Sequence, residues 1–182
     1  MVRDWRNVKM PFLIIFGVIA SVLILFSYKN TMTTTNYLSI AKALVIKWES
    51  LRLNAYQDVG GLWTIGYGHL IKANEPYHPY GTQKTISIVE AVELLLKDMS
   101  SAIDCVNRKV KVPLTTNQRA ALISFVFNVG CGAFSDSTML RKINASDFSG
   151  ASDEFDKWIY AKGKKIDGLA NRRMNEKQIF NS

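Results

Sequence analysis

Three side chains in one short stretch have the types and spacing for acid–base work on an unactivated bond. In "WESLRLNAYQDVGGLWTIGYGHL", residues 48–70, eight residues separate Glu49 from Asp58 and five separate Asp58 from Thr64. Cleaving a glycosidic bond takes a proton for the leaving oxygen and help for water at the anomeric carbon. Two carboxyl groups supply both, one protonated and one ionised. Glu49 follows Trp48, an apolar neighbour that would disfavour its charged form. Asp58 precedes Gly60-Gly61, where it would stay solvated and ionised, and Thr64 offers a hydroxyl to hold a water. A Glu and an Asp at this spacing also arise by chance, so the elements that carry them must decide.

Those elements read as a helix and a hairpin. From Ser39 to about Leu51, Ile40, Leu44 and Trp48 recur every four residues, which predicts a short amphipathic helix with Glu49 near its C-terminal end. From residue 55 the period changes. Trp63, Ile65, Tyr67 and His69 alternate with Thr64, Gly66, Gly68 and Leu70, and Gly60-Gly61 marks a turn, so 55–70 reads as a β-hairpin. Helical signals then take over. Ser87 and Glu90 form a capping box, and Val89, Val92, Leu96, Met99, Ile103 and Val106 make one stripe of a long helix. After Pro113, Thr115 and Gln118 repeat the box before "AALISFVFNV", a segment apolar on nearly every side and suited to the middle of a core. Phe148, Ala151, Phe155 and Trp158 mark a further helix, and residues 171–180 a last one. The expected class is α+β, with a small hairpin lobe, a larger helical lobe and a cleft where they meet.

The N-terminus differs in kind. From Met10 to Tyr28 no residue is charged and most are large and apolar, about the length that crosses a hydrocarbon core of ~30 Å as a helix. No small-x-small cleavage site follows it, so it reads as an uncleaved anchor. Arg3, Arg6 and Lys9 precede the run and only Lys29 follows it before Lys42, which puts residues 1–9 in the cytoplasm and the rest outside. Residues 29–37 read as a polar linker and 38–182 as one exported domain. The net charge is +8. It suits a polyanionic partner or an ordinary basic surface, and no nucleic-acid motif accompanies it. Outside the cytoplasm Cys105 and Cys131 are placed to pair, two buried thiols being the other reading. His69 and His78 are the only histidines and give no metal-ligand spacing with either cysteine.

The stretch 48–70 resembles the phage-type lysozymes, the endolysins of glycoside hydrolase family 24. The family pattern of Glu, eight residues, Asp, five residues, Thr and then "IGYGH" is matched at Glu49, Asp58, Thr64 and Ile65 to His69 without a gap. The resemblance continues through "PLTTNQRAALISFVFNVGCGAF" (113–134), "STMLRKIN" (137–144) and "GLANRRMNE" (168–176). It implies a lysozyme-like fold and hydrolysis of the bond between N-acetylmuramic acid and N-acetylglucosamine in peptidoglycan, without a cofactor or obligate protein partner. By position, Glu49 would be the general acid, Asp58 would orient or activate water and Thr64 would help place it.

Weaker matches follow from the same resemblance. Arg172 stands where the family has an arginine near the catalytic glutamate, with Arg173 as the other candidate. Phe127 and Asn128 align with the sugar-binding edge of the central helix, or else serve core packing and a helix end. His69 is expected to fix local structure. Some family members carry an N-terminal segment that first holds the enzyme at the inner membrane and then releases it, so 10–28 reads as a stable or a releasable anchor. Two other activities compete: a lytic transglycosylase, which needs no aspartate, and a wall-binding protein on the same scaffold, which needs no glutamate.

Overall fold

The computed structural model describes residues 36–58, 61–79, 81 and 85–182, most of the compact unit Tyr37–Ser182. The apolar run 10–28 lies outside the described residues. Among the described residues no helix is long and apolar enough to cross a membrane.

Helix α1 covers 36–48, so Asn36 and Tyr37, read from sequence as linker, are already helical. It buries Ala41, Leu44 and Val45. The Glu49 N–H donates to the Val45 carbonyl at 3.0 Å, so Glu49 is held by the last turn although it lies one residue past it. The chain then enters a three-stranded antiparallel sheet in the order β1 (Arg52–Gln57), β2 (Trp63–Gly66) and β3 (His69–Leu70). Residues 63–70, expected as one strand, form two. Gly66 and Gly68 have φ of 66° and 92°, the left-handed region that glycine enters without steric cost. The chain reverses at Tyr67-Gly68, and His69 pairs back onto Ile65.

Helix α2 (Ile88–Lys109) starts at the expected box: the Glu90 N–H donates to the Ser87 side chain, and the Ser87 N–H to the Glu90 carboxylate. At about 1.5 Å per residue its 22 residues make a spine of roughly 33 Å. Its first turns close a small core of Ile65, Ile71, Ile86, Ala91 and Leu94 under the sheet. Its later turns, through Leu95, Met99, Ala102, Cys105 and Val106, belong to the larger helical core. Val89 and Leu96, expected on its buried stripe, are 67% and 41% exposed. The buried stripe instead passes through Ala91 and Ala102, small residues that a search for large apolar side chains skips.

The remaining elements wrap around α3 (Thr116–Val129), whose residues Ala120 to Val126 are all buried. They are α4 (Cys131–Ser135), α5 (Thr138–Asn144), α6 (Phe148–Glu154) with a 3-10 turn at Phe155–Lys157, a hairpin of β4 (Tyr160–Ala161) and β5 (Lys164–Lys165), and α7 (Asp167–Phe180). The sequence reading ran one helix from Phe148 to Trp158. In the structure α6 stops at Glu154, the 3-10 turn carries the chain to Lys157, and Trp158 folds back edge-on to Phe125, 5.2 Å between ring centres. Phe125 also meets Phe134 at 6.3 Å and Phe155 at 5.3 Å, and such edge-to-face pairs add about 0.5–1.5 kcal/mol each beyond burial.

Candidate active site

Glu49 leaves α1 with its side chain 26% exposed and meets Arg172 of α7, whose Nη1 donates to Oε1 at 2.7 Å. The other edge of that guanidinium points inward. Arg172 Nε donates to Glu176 Oε1 at 3.2 Å and Nη2 to the Ser124 carbonyl at 3.4 Å. Arg173 points into the same interface between α7 and α3. Its Nη2 donates to Asn128 Oδ1 at 3.0 Å and to Glu176 Oε1 at 3.3 Å, and its guanidinium lies 5.0 Å from the Phe125 ring centre. Of the two candidate arginines, therefore, Arg172 reaches Glu49.

Asp58 and Thr64 are both anchored on one residue, Leu62. Asp58 and Leu62 close the β1–β2 loop, each N–H donating to the other's carbonyl or carboxylate: Asp58 N–H to Leu62 O at 2.9 Å, and Leu62 N–H to Asp58 Oδ1 at 2.9 Å. Thr64, 5% exposed, donates its hydroxyl to the same Leu62 carbonyl at 3.1 Å. The loop thus fixes a carboxylate and a hydroxyl about one residue, Leu62. Two carboxyl groups from different elements, one against an arginine and one in a polar loop, with a hydroxyl bonded to the same loop residue as the second, are the group types that glycoside hydrolysis uses. Among the described residues no group of His, Cys, Asp and Glu is arranged to hold a metal ion.

Residues 46–176 match the family described as phage lysozyme. The chain belongs to the phage lysozyme family. It is 43% identical over 143 residues to an endolysin of Acyrthosiphon pisum secondary endosymbiont phage 1, covering 76% of this chain and 93% of that one. It is 37% identical over 145 residues to a SAR-endolysin of Escherichia phage Mu, covering 80% and 81%. The muramidase domain of SpmX from Asticaccaulis excentricus superposes with a TM-score of 0.69 at 34% identity, over 78% of this chain and 95% of that one. The protein is accordingly a glycoside hydrolase with the lysozyme-like α+β fold, and the small sheet and larger helical part correspond to that family's architecture.

In this lysozyme the other residues singled out by sequence go to different places. Asn128 at the end of α3 is bonded to Arg173. Phe127 packs against the helical core and lines a pocket of about 140 Å³ with Asp98, Ser101, Val126 and Gly130. Cys105 of α2 and Cys131 of α4 are joined by a disulfide, their Cα atoms 5.8 Å apart. His69 is 5% exposed and sits between two carboxylates, Nδ1 2.8 Å from Asp98 Oδ2 and Nε2 3.0 Å from Glu75 Oε2. It ties β3 to the spine and to the turn that follows. Sequence reasoning missed both acids, and it missed Glu176, which is fully buried. For Glu176 a spacing signal was present: it falls four residues after Arg172 and three after Arg173, the separations at which helical side chains meet.

The pair at His69 gives an acid-stability prediction. Burial raises the Glu75 carboxyl, but the Lys72 N–H and His69 bonds outweigh it and hold the group below the ordinary 4.5. A carboxyl held low in the fold binds fewer protons there than in the unfolded chain. Its contribution is full above the ordinary value and is lost as pH falls through the folded one. Glu75→Gln should cost about 1 kcal/mol at neutral pH, and the gap to the parent should narrow on acidification below pH ~4.5. Urea melts at neutral and acid pH measure this; a gap that widens with acid would contradict it.

Proposed function

We propose that this lysozyme is an inverting muramidase in which Glu49 protonates the leaving oxygen while Asp58 and Thr64 hold the attacking water. The observation that carries this reading is the shared anchoring of Asp58 and Thr64 on Leu62. The Thr64 hydroxyl proton is committed to the Leu62 carbonyl, so the lone pairs of that oxygen are left to accept. A water that donates one hydrogen to Asp58 and the other to Thr64 keeps an oxygen lone pair for the anomeric carbon. As that carbon's bond to the bridging oxygen breaks, the Glu49 proton passes to the departing oxygen. The water oxygen bonds the anomeric carbon from the opposite face and its proton passes to Asp58. Room for such a water requires carboxyl groups ~6.5–9.5 Å apart. Arg172 holds the Glu49 carboxyl in place by its single bond to Oε1.

Mass spectrometry of muropeptides released from purified peptidoglycan by the full-length, detergent-solubilised chain tests this. Reducing muramic acid ends are expected, their inverted configuration read by proton NMR before mutarotation, with a loss of roughly 10²-fold or more in Asp58→Asn. Anhydro ends that survive Asp58→Asn would make the protein a lytic transglycosylase, and binding without cleavage by a folded chain would make it a wall-binding protein.

The proposal extends to location. Residues 10–28 are an anchor that first holds the enzyme at the inner membrane, with the catalytic unit on the periplasmic side, and is later released. The uncharged run, the three preceding basic residues and relatives that are themselves SAR-endolysins support it. Membrane fractionation through a lysis time course should show the chain first in the membrane and then in the soluble fraction. A chain soluble from the outset would overturn this reading.

A further inference from the structure

A buried carboxylate lies on the far side of the arginine that holds Glu49. Glu176 is 0% exposed. It accepts from Ser124 Oγ at 2.7 Å, from Arg172 Nε at 3.2 Å and from Arg173 Nη2 at 3.3 Å, and its Oε2 stands 2.8 Å from Arg173 Nε as an ion pair. The Arg172 guanidinium therefore bridges two carboxyl groups, one buried and one at the active site. Taking charges out of water is costly, and a helix interface packed with apolar residues would be as stable or more so. Packing alone gives no reason for this cluster.

Its charges do. With Glu49 protonated, two guanidiniums and one buried carboxylate leave one surplus positive charge beside the acid. Without Glu176 there would be two, and each opposes retention of the Glu49 proton. We propose that Glu176 is a positioning residue that acts through Arg172: it fixes the guanidinium against Glu49 and offsets the positive field that would otherwise strip the acid of its proton. This rests on the reading of Glu49 as the acid.

Charged groups on neighbouring elements and at the candidate site have partners of their own. Lys47 of α1 bonds Asn175 and lies over the Trp48 ring. Asp156 of the 3-10 turn pairs with Lys177 on the outside, Asp98 of α2 pairs with His69, and Asp58 is bonded at Leu62. From α3 the cluster meets uncharged groups, Ser124, Asn128 and the Phe125 ring. Burial holds the Glu176 carboxyl above its ordinary range and the Arg173 guanidinium below its own, and the opposite charge of each partner offsets this only in part.

The test compares kcat/KM against pH for the full-length chain, Glu176→Gln, Arg173→Gln and the double variant, each checked for folding by thermal melting. Glutamine keeps an oxygen for Ser124 and Arg172 but removes the charge. The alkaline limb of the Glu176→Gln profile should move down by about one pH unit, the size expected of one unit charge at an effective dielectric near 20. Arg173→Gln should move it up, and the double variant should bring it back. A folded Glu176→Gln whose limb stays in place, or two single variants that shift it the same way, would overturn the proposal. If Glu176→Gln does not fold, an Arg173→Gln limb that fails to rise does so equally. Activity retained by Glu49→Gln would instead remove the acid assignment, a result obtained without touching Glu176.

Discussion

Glu49→Gln should reduce turnover by about a thousandfold or more while the protein still folds. A positioned general acid contributes typically 10²–10⁴-fold, and a sugar alkoxide is a poor leaving group without a proton. Glutamine keeps the oxygen that accepts from Arg172 Nη1, so the side chain stays in place and only the transferable proton is lost. Glu49 is partly exposed, and Arg172 retains Glu176 and the Ser124 carbonyl as partners. The stability change is therefore expected within about 1 kcal/mol. Release of soluble muropeptides measured beside a thermal melt separates the two effects. Near-parental release by the variant would remove Glu49 from the chemistry, and a large fall in melting temperature would assign it to the fold.

Removing the disulfide is expected to have the largest effect on stability. Cys105 and Cys131 are 26 residues apart, and the loop they close contains the whole of α3, the element at the centre of the core. Cross-linking a loop of that size restricts the unfolded chain by about 3.5 kcal/mol on the chain-entropy account. In a domain of this size that corresponds to a fall of roughly 10 °C in melting temperature. Cys105→Ala with Cys131→Ala should show it, as should reductant added to the parent, while activity at room temperature persists because neither cysteine touches Glu49, Asp58 or Thr64 in the described contacts. Equal melting of parent and variant, with two thiols titrated in the parent, would show that the bond does not form.

What the sequence discloses about this lysozyme depends on how local each cause is. Capping at Ser87 and Thr115 involves residues three apart, and both boxes are where the sequence placed them. The burial of α3 could be read because its apolar residues leave no polar face. The break at Tyr67-Gly68 was missed because Trp63 to Leu70 alternates perfectly, and alternation does not register a reversal made by two glycines in left-handed conformation. The buried face of α2 was misplaced because alanines at 91 and 102 mark close approach, a property of the partner surface. The hairpin at Tyr160–Lys165 rests on a turn of Lys162 and Gly163, both with positive φ, and lysine is not a residue that announces such a turn. At the candidate site, the spacing of Glu49, Asp58 and Thr64 shows residue types that suit glycoside hydrolysis, while the bonds that hold them, from Arg172 and Leu62, depend on the fold. The Glu176 cluster stayed hidden because a glutamate in a charged helix reads as solvated surface until α3 is packed against it.

The Glu49–Arg172 contact joins residues 123 positions apart. Helix α1 is synthesised before the sheet, yet it packs with helices that follow the sheet. The chain leaves the helical part, builds the small lobe and returns along α2. No nascent chain that stops short of α7 carries Arg172, the partner of Glu49, whatever the state of its sheet and loop. Completion of the Glu49–Arg172 pair is thus coupled to nearly complete synthesis of the described domain.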